Sequence, residues 1–128
     1  MHRSRHHTSR RFTRVGDQLV WRQRNPEGTP WIQRCWKAAF KRAVKTLEAG
    51  AATGYTLVEL ADAAQLSINE AAVTVNFLLD AGFLKTDGHI ARRFIPRDEG
   101  LYADAMRAWR DLPASPEAPL PLLDALGP

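Results

Sequence analysis

The stretch "TLVELADAAQLSINEAA", Thr56 to Ala72, contains one local device twice: Thr56-Leu-Val-Glu59 and Ser67-Ile-Asn-Glu70 both read S/T-x-x-E. In such a box the hydroxyl accepts a hydrogen bond from the amide three residues on, and the glutamate reaches back to the amide of the capping residue. Each box opens an apolar-periodic run. The spacing predicts a short helix over 57–64, with Leu57, Leu60, Ala61 and Ala64 inward, then a tight turn and a second helix over 68–81 stopped by Gly82. That is helix-turn-helix spacing. The boxes are structural devices first, so Glu70 is assigned to its cap.

Downstream, "FLKTDGHIARRF", residues 83–94, places Asp87-Gly88 between two short β runs, the composition of a type I′ hairpin with Thr86 opposite His89. "DEGLYADAMRAWRDL", 98–112, is an amphipathic helix with Leu101, Ala105, Ala108, Trp109 and Leu112 on one face. Upstream, "PWIQRCWKAAFKRAVKTLEAG", 30–50, is predicted to be one helix from Pro30 to a Gly50 cap. Its inward face would be Ile32, Trp36, Ala39, Phe40, Ala43 and Leu47. Arg34, Lys37, Lys41 and Lys45 would form a cationic stripe on another face. "FTRVGDQLVWRQRN", 12–25, reads as two β runs around Gly16-Asp17. The expected fold class is mainly α with small β-hairpins. The expected organisation is a basic arm over 1–11, a domain over 12–112 and a Pro-rich tail over 113–128.

The chain has 128 residues, 45% hydrophobic and 25% charged, which is ordinary composition for one globular domain with its own core. One cysteine, Cys35, excludes an intrachain disulfide and a multi-cysteine zinc site. The net charge of +4 is unevenly spread. Residues 1–45 carry 12 Lys and Arg against two acids, residues 46–84 carry five acids and no Lys or Arg, and residues 85–128 nearly balance. A basic first third suggests a polyanionic partner. No apolar run is long enough for a membrane span, and the first residues lack the apolar core of a secretory signal. A cytoplasmic, nucleoid-associated protein is therefore expected.

Residues 56–94 resemble the winged helix-turn-helix family of bacterial and phage DNA-binding regulators. The resemblance rests on "VELADAAQLS", on "VNFLLDAGFL" and on the "KTDGH" wing turn, and it covers about a third of the chain. It implies that 68–81 is a recognition helix and 83–94 a wing. Gln65 stands where glycine is common at the family's turn. The helix "SINEAAVTVNFLLD" holds no Arg or Lys, whereas recognition helices of the family usually carry basic or strongly polar groups.

The outward candidates on that helix are Asn69, Glu70, Ala72, Val73 and Asn76. Asn69 and Asn76 lie two turns apart, and asparagine can bond adenine bidentately. Phosphate contacts, which supply most of the affinity for DNA, must come from cations elsewhere. The candidates are Arg3, Arg5, Arg10 and Arg11 in the arm, Arg34, Lys37, Lys41 and Lys45 in the stripe, and Lys85, His89, Arg92 and Arg93 in the wing. The expected partner is duplex DNA or another nucleic acid, for a small transcription regulator. The alternative is a protein-interaction subunit of a nucleoprotein complex for replication, transposition or RNA-guided activity. Its partner would meet helix 68–81, with Val73 and Phe77 as exposed candidates, while the basic N-terminal third holds nucleic acid. A homodimer would use 98–112. Trp31, Trp36 and Trp109 read as core residues, and Trp21 as packed under its hairpin or stacked on a base. His2, His6 and His7 suit a solvated arm better than a metal site. Paired carboxylates, a Gly-rich phosphate loop and a nucleophile–base pair are all absent from the sequence. No enzyme, cofactor or metal is expected.

Overall fold

The computed structural model describes residues 11–24, 27–28, 30–88 and 92–114. The order of elements is β1 (Phe12–Val15), β2 (Gln18–Arg24), β3 (Pro30–Trp36), α1 (Lys37–Ala49), α2 (Leu57–Ala64), α3 (Ile68–Asp80), β4 (Leu84–Asp87), β5 (Arg93–Pro96) and α4 (Leu101–Arg110). Two antiparallel sheets, β1-β2-β3 and β4-β5, accompany the four helices, so the fold is mixed α/β with more strand than the sequence suggested.

The extra strand is the main correction. Residues 30–36 do not begin a helix; they pair with β2 from Gln18 opposite Trp36 to Arg24 opposite Pro30. The segment's own chemistry explains this. "PWIQRCW" is aromatic and β-branched, with no Ala, Leu or Lys, whereas "KAAFKRAVKTLEA" is built from strong helix formers. Helical spacing had grouped Ile32 and Trp36 with Phe40. The strand instead alternates: Trp31, Gln33 and Cys35 share one face, on which Gln33 and Cys35 meet α3, and Ile32, Arg34 and Trp36 share the other, with Trp31 and Ile32 exposed at 42% and 37%. Trp31 is therefore not a core residue, and Trp36 is half-buried.

Helices α2 and α3 follow their caps. Thr56 Oγ1 accepts from the Glu59 amide (3.2 Å) and Glu59 Oε1 from the Thr56 amide (3.1 Å). Ser67 and Glu70 repeat the pattern at 3.0 Å each way. The turn between the helices holds Gln65 at φ 58, the one described non-glycine residue at positive φ. This left-handed residue ends α2, and the Leu66 amide then returns to the Ala61 carbonyl (2.8 Å). Arg42 of α1 secures the same turn. Its Nε donates to the Ala64 carbonyl (3.1 Å) and its Nη2 to the Gln65 carbonyl (3.3 Å), groups that a helix end leaves without partners.

The β4-β5 hairpin departs from the two-residue turn expected at Asp87-Gly88. Asp87 pairs with Arg93 and Thr86 with Phe94, so the connection runs over 88–92. Phe94 sets this register. Its side chain is buried, and its backbone also pairs with Tyr55 on the other side (Phe94 amide to Tyr55 carbonyl, 2.7 Å). Burial of one face outweighs the local turn preference. The last helix starts at Leu101 rather than 98. Glu48 Oε1 accepts from the Tyr102 amide (2.6 Å), placing a carboxylate at its N-terminus.

The core joins these parts through aromatic contacts. Trp21 stacks on Phe12 (centroids 5.6 Å apart), and Phe12 meets Phe77 edge-on at 5.4 Å. Phe77 meets Phe40 at 5.7 Å, and Phe40 meets Trp109 at 5.0 Å. The series runs from the sheet through α3 and α1 to α4. Ser67→Ala is expected to cost about 1 kcal/mol of folding stability through loss of the cap. Gln65→Gly is expected to leave stability unchanged or raise it by up to about 1 kcal/mol, because it relieves the left-handed conformation. Urea denaturation of the two variants beside the parent chain checks both.

Candidate nucleic-acid interface

Three of the four residues of the expected stripe stay together. Lys37, Lys41 and Lys45 follow one another at i, i+4 on α1, each advancing about 40° around the helix and together spanning about 12 Å. Lys37 and Lys45 lie on the flank facing α4, beside the buried row that holds Phe40, Val44 and Leu47. Lys37 Nζ stands 6.0 Å from the centroid of the Trp109 ring and Lys45 Nζ 5.4 Å from that of Tyr102. The stems thus lie along the α1–α4 seam while the charges remain at its rim. Glu48 shares this flank, but its carboxylate is bonded to the start of α4. Arg34 is not part of the ridge: it sits on β3, half-buried.

Helix α3 is placed differently from a free reading helix. Ala71, Val73, Thr74, Val75, Phe77 and Leu78 are buried. Val73, an outward candidate in the sequence, and Phe77, exposed only under the protein-interaction alternative, both face the core because the N-terminal sheet covers that side. Thr74 Oγ1 lies 3.6 Å from Cys35 Sγ on β3, and Phe77 touches Phe12 on β1. Burial raises the Cys35 thiol to about 12, so it is not an activated nucleophile. The partly open stripe of α3 is Ile68, Ala72, Asn76 and Leu79, on the side turned from α1. The lysine ridge and this stripe therefore point in different directions.

The two asparagines are engaged within the fold. Asn69 is exposed, and its Oδ1 accepts from Gln33 Nε2 of β3 at 2.9 Å. Asn76 Nδ2 donates to the Ala72 carbonyl at 2.8 Å. Asn76 lines a shallow groove of about 380 Å³ whose other walls include Val58, Leu79, Arg92 and Phe94. The groove lies between α2, α3 and the start of β5.

The two arginines at the start of β5 separate by role. Arg92 is exposed, its guanidinium 5.4 Å from the centre of the Phe94 ring. Arg93 is a structural clamp. It donates to the Thr53 carbonyl (3.2 Å) and the Gly54 carbonyl (3.5 Å), and to Glu59 Oε1 (3.0 Å). Glu59 is thereby shared between the α2 cap and β5. Its carboxyl is held below the ordinary range chiefly by the Thr56 amide; desolvation opposes this, and the Arg93 charge and hydrogen bond add to the lowering. Lys85 on β4 and Arg11 before β1 are exposed. Arg3, Arg5, Arg10 and His89 lie outside the described residues, as do His2, His6 and His7.

Arg42, Glu48 and Gln33 hold partners that local sequence patterns do not announce, because each bond joins elements 22 to 54 residues apart. On α4 the apolar side is spent on α1, and Ala103, Arg107 and Arg110 face outward. Among the described residues no helix is long and apolar enough to cross a membrane, and no cluster of side chains suits a metal ion. No protein family, curated protein or solved structure gives a significant match to the chain.

Arg93→Ala is expected to lower the melting temperature, whereas Arg92→Ala leaves it in place. The depressed Glu59 carboxyl stabilises the fold above the ordinary carboxylate range, and this contribution is lost as pH falls through its lowered folded-state value. The melting difference between the parent chain and Glu59→Gln should therefore be present at neutral pH and close in acid. A thermal melt series across pH checks it.

Proposed function

We propose that the chain is a non-catalytic nucleic-acid-binding module of winged-helix type that grips the phosphate backbone, with α3 as its structural centre rather than a base-reading helix. The observation that carries this reading is the pairing of a buried, cation-free α3 with a separate lysine ridge on α1. A helix inserted into the major groove must offer side chains along its length to base edges. Here Val73 and Phe77 are committed to the sheet and to α1, and Asn69 to Gln33. Lys37 and Lys45 stand over the rings of Trp109 and Tyr102, Lys41 falls between them in sequence, and ammonium groups repeated along one helix suit a phosphate row. Exposed Lys85 and Arg92 add charge on the hairpin. The module would serve within a nucleoprotein assembly in which another component supplies sequence choice.

The experiment is duplex binding over a range of salt. Affinity is expected to fall steeply with salt, and the joint replacement Lys37→Ala, Lys41→Ala, Lys45→Ala should make the slope shallower by about 2 to 3, one step per lost phosphate contact. Random and selected duplexes are expected to compete equally, and Asn69→Ala with Asn76→Ala should leave binding unchanged. A preferred sequence that disappears with the two asparagines would instead assign base reading to α3. Undiminished binding by the triple-lysine variant would remove the ridge from the interface.

A further inference from the structure

The three-stranded sheet has two edges in different states. On the β1 edge the Arg14 amide donates to the Pro113 carbonyl (2.9 Å), and Ala114 forms a parallel bridge with Arg14. The β3 edge has no backbone partner among the described residues. The Lys37 amide bonds the Asp17 carbonyl (2.8 Å), which fixes the alternation along the β2–β3 ladder. Residues 31, 33 and 35 turn their backbone groups to β2, and Ile32 and Arg34 turn theirs outward. Among the described residues nothing pairs with them. Natural sheets usually blunt an edge with proline, a bulge or a cover. Here the proline stands only at the first position of a seven-residue strand. Two large apolar side chains, Trp31 and Ile32, stay exposed along it. Beside them the half-buried Arg34 guanidinium has Nε and Nη1 shielded from water with no acceptor, an arrangement that costs free energy until an anion arrives.

We propose that the outer edge of β3 receives an extended, acidic segment of a partner protein as a fourth strand. The backbone supplies the recognition of an extended chain through Ile32 and Arg34. Charge complementarity selects its composition: β2 and β3 together carry Arg22, Arg24 and Arg34 and no acid. A carboxylate on the added strand directly opposite Arg34 would stand about 5 Å away on the same face, and the residue two positions along would meet Ile32. The expected segment thus alternates, with an acidic side chain and an apolar one on the face shared with Arg34. A second copy of β3 would bring further arginine to an already cationic sheet. This inference is independent of the lysine ridge, which lies on α1.

The test uses the full chain and two fluorescent synthetic peptides of alternating valine and threonine, one with a central glutamate and one with glutamine in its place. The glutamate peptide is expected to bind about fivefold more tightly, and the Ile32 and Arg34 amides should gain protection from hydrogen exchange. Arg34→Gln should abolish the preference but keep residual binding. Ile32→Pro should abolish both, since it removes an outward amide that bonds nothing among the described residues. Should the proline variant fail to fold, the exchange pattern of the unmodified chain carries the decision. Failure of both peptides to bind, equal binding of the two, or protection away from β3 would overturn the proposal. So would sedimentation showing a dimer of the chain that the peptide cannot displace.

Discussion

Phe77 is the contact on which the other layers depend. Its ring meets Phe12 of the N-terminal sheet and Phe40 of α1, and Phe40 in turn meets Trp109 of α4. Edge-to-face aromatic pairs of this kind add to the burial that each ring already provides. They also fix α3 between two partners. Removing the sheet would expose one side of α3, and removing α1 the other. The helix is therefore an axle of the core, and its sequence "INEAAVTVNFLLD" is apolar around most of its circumference for that reason. The absence of Lys and Arg follows from burial on two sides.

The cations divide by what holds them. Arg42 and Arg93 donate to backbone carbonyls at a helix end and a turn, and Arg107 pairs with Asp104. Such groups are part of the scaffold, and their charge is partly spent. Lys37 rests on the ring of Trp109 and Lys45 on that of Tyr102, with Lys41 between them in sequence. The formal charge of the first third overstates what a polyanion would meet. What matters is that the unspent charges lie along one seam, where the α1 backbone sets their spacing.

Local chemistry was legible in the sequence, and long-range chemistry was not. The capping boxes gave α2 its observed bounds and α3 its start, and Gln65 took the left-handed turn position expected of a glycine. The hairpin at Gly16-Asp17 was readable from its turn residues. The 30–36 strand was misread because Ile32 and Trp36 satisfy helical spacing as well as strand alternation, and only pairing with β2 decides between them. The register of β4-β5 needed Tyr55, which lies beyond any local window. The lysine ridge was visible as a spacing, but Arg34 was wrongly joined to it by the same helical assumption. Arg93 looked equivalent to Arg92 until Glu59 and the 53–54 carbonyls were brought beside it.

The bridge between Arg14 and Ala114 gives the domain a sidedness. Arg11 directly precedes β1 and Ala114 pairs beside it, so these two positions lie at one border of the sheet. The opposite border is two strand spacings away, about 10 Å. A group attached at either of these two positions would sit on the β1 side, with β3 on the opposite border. A label or linker placed at Ala114 would therefore stand at a fixed distance from β3, with the sheet as the spacer between them.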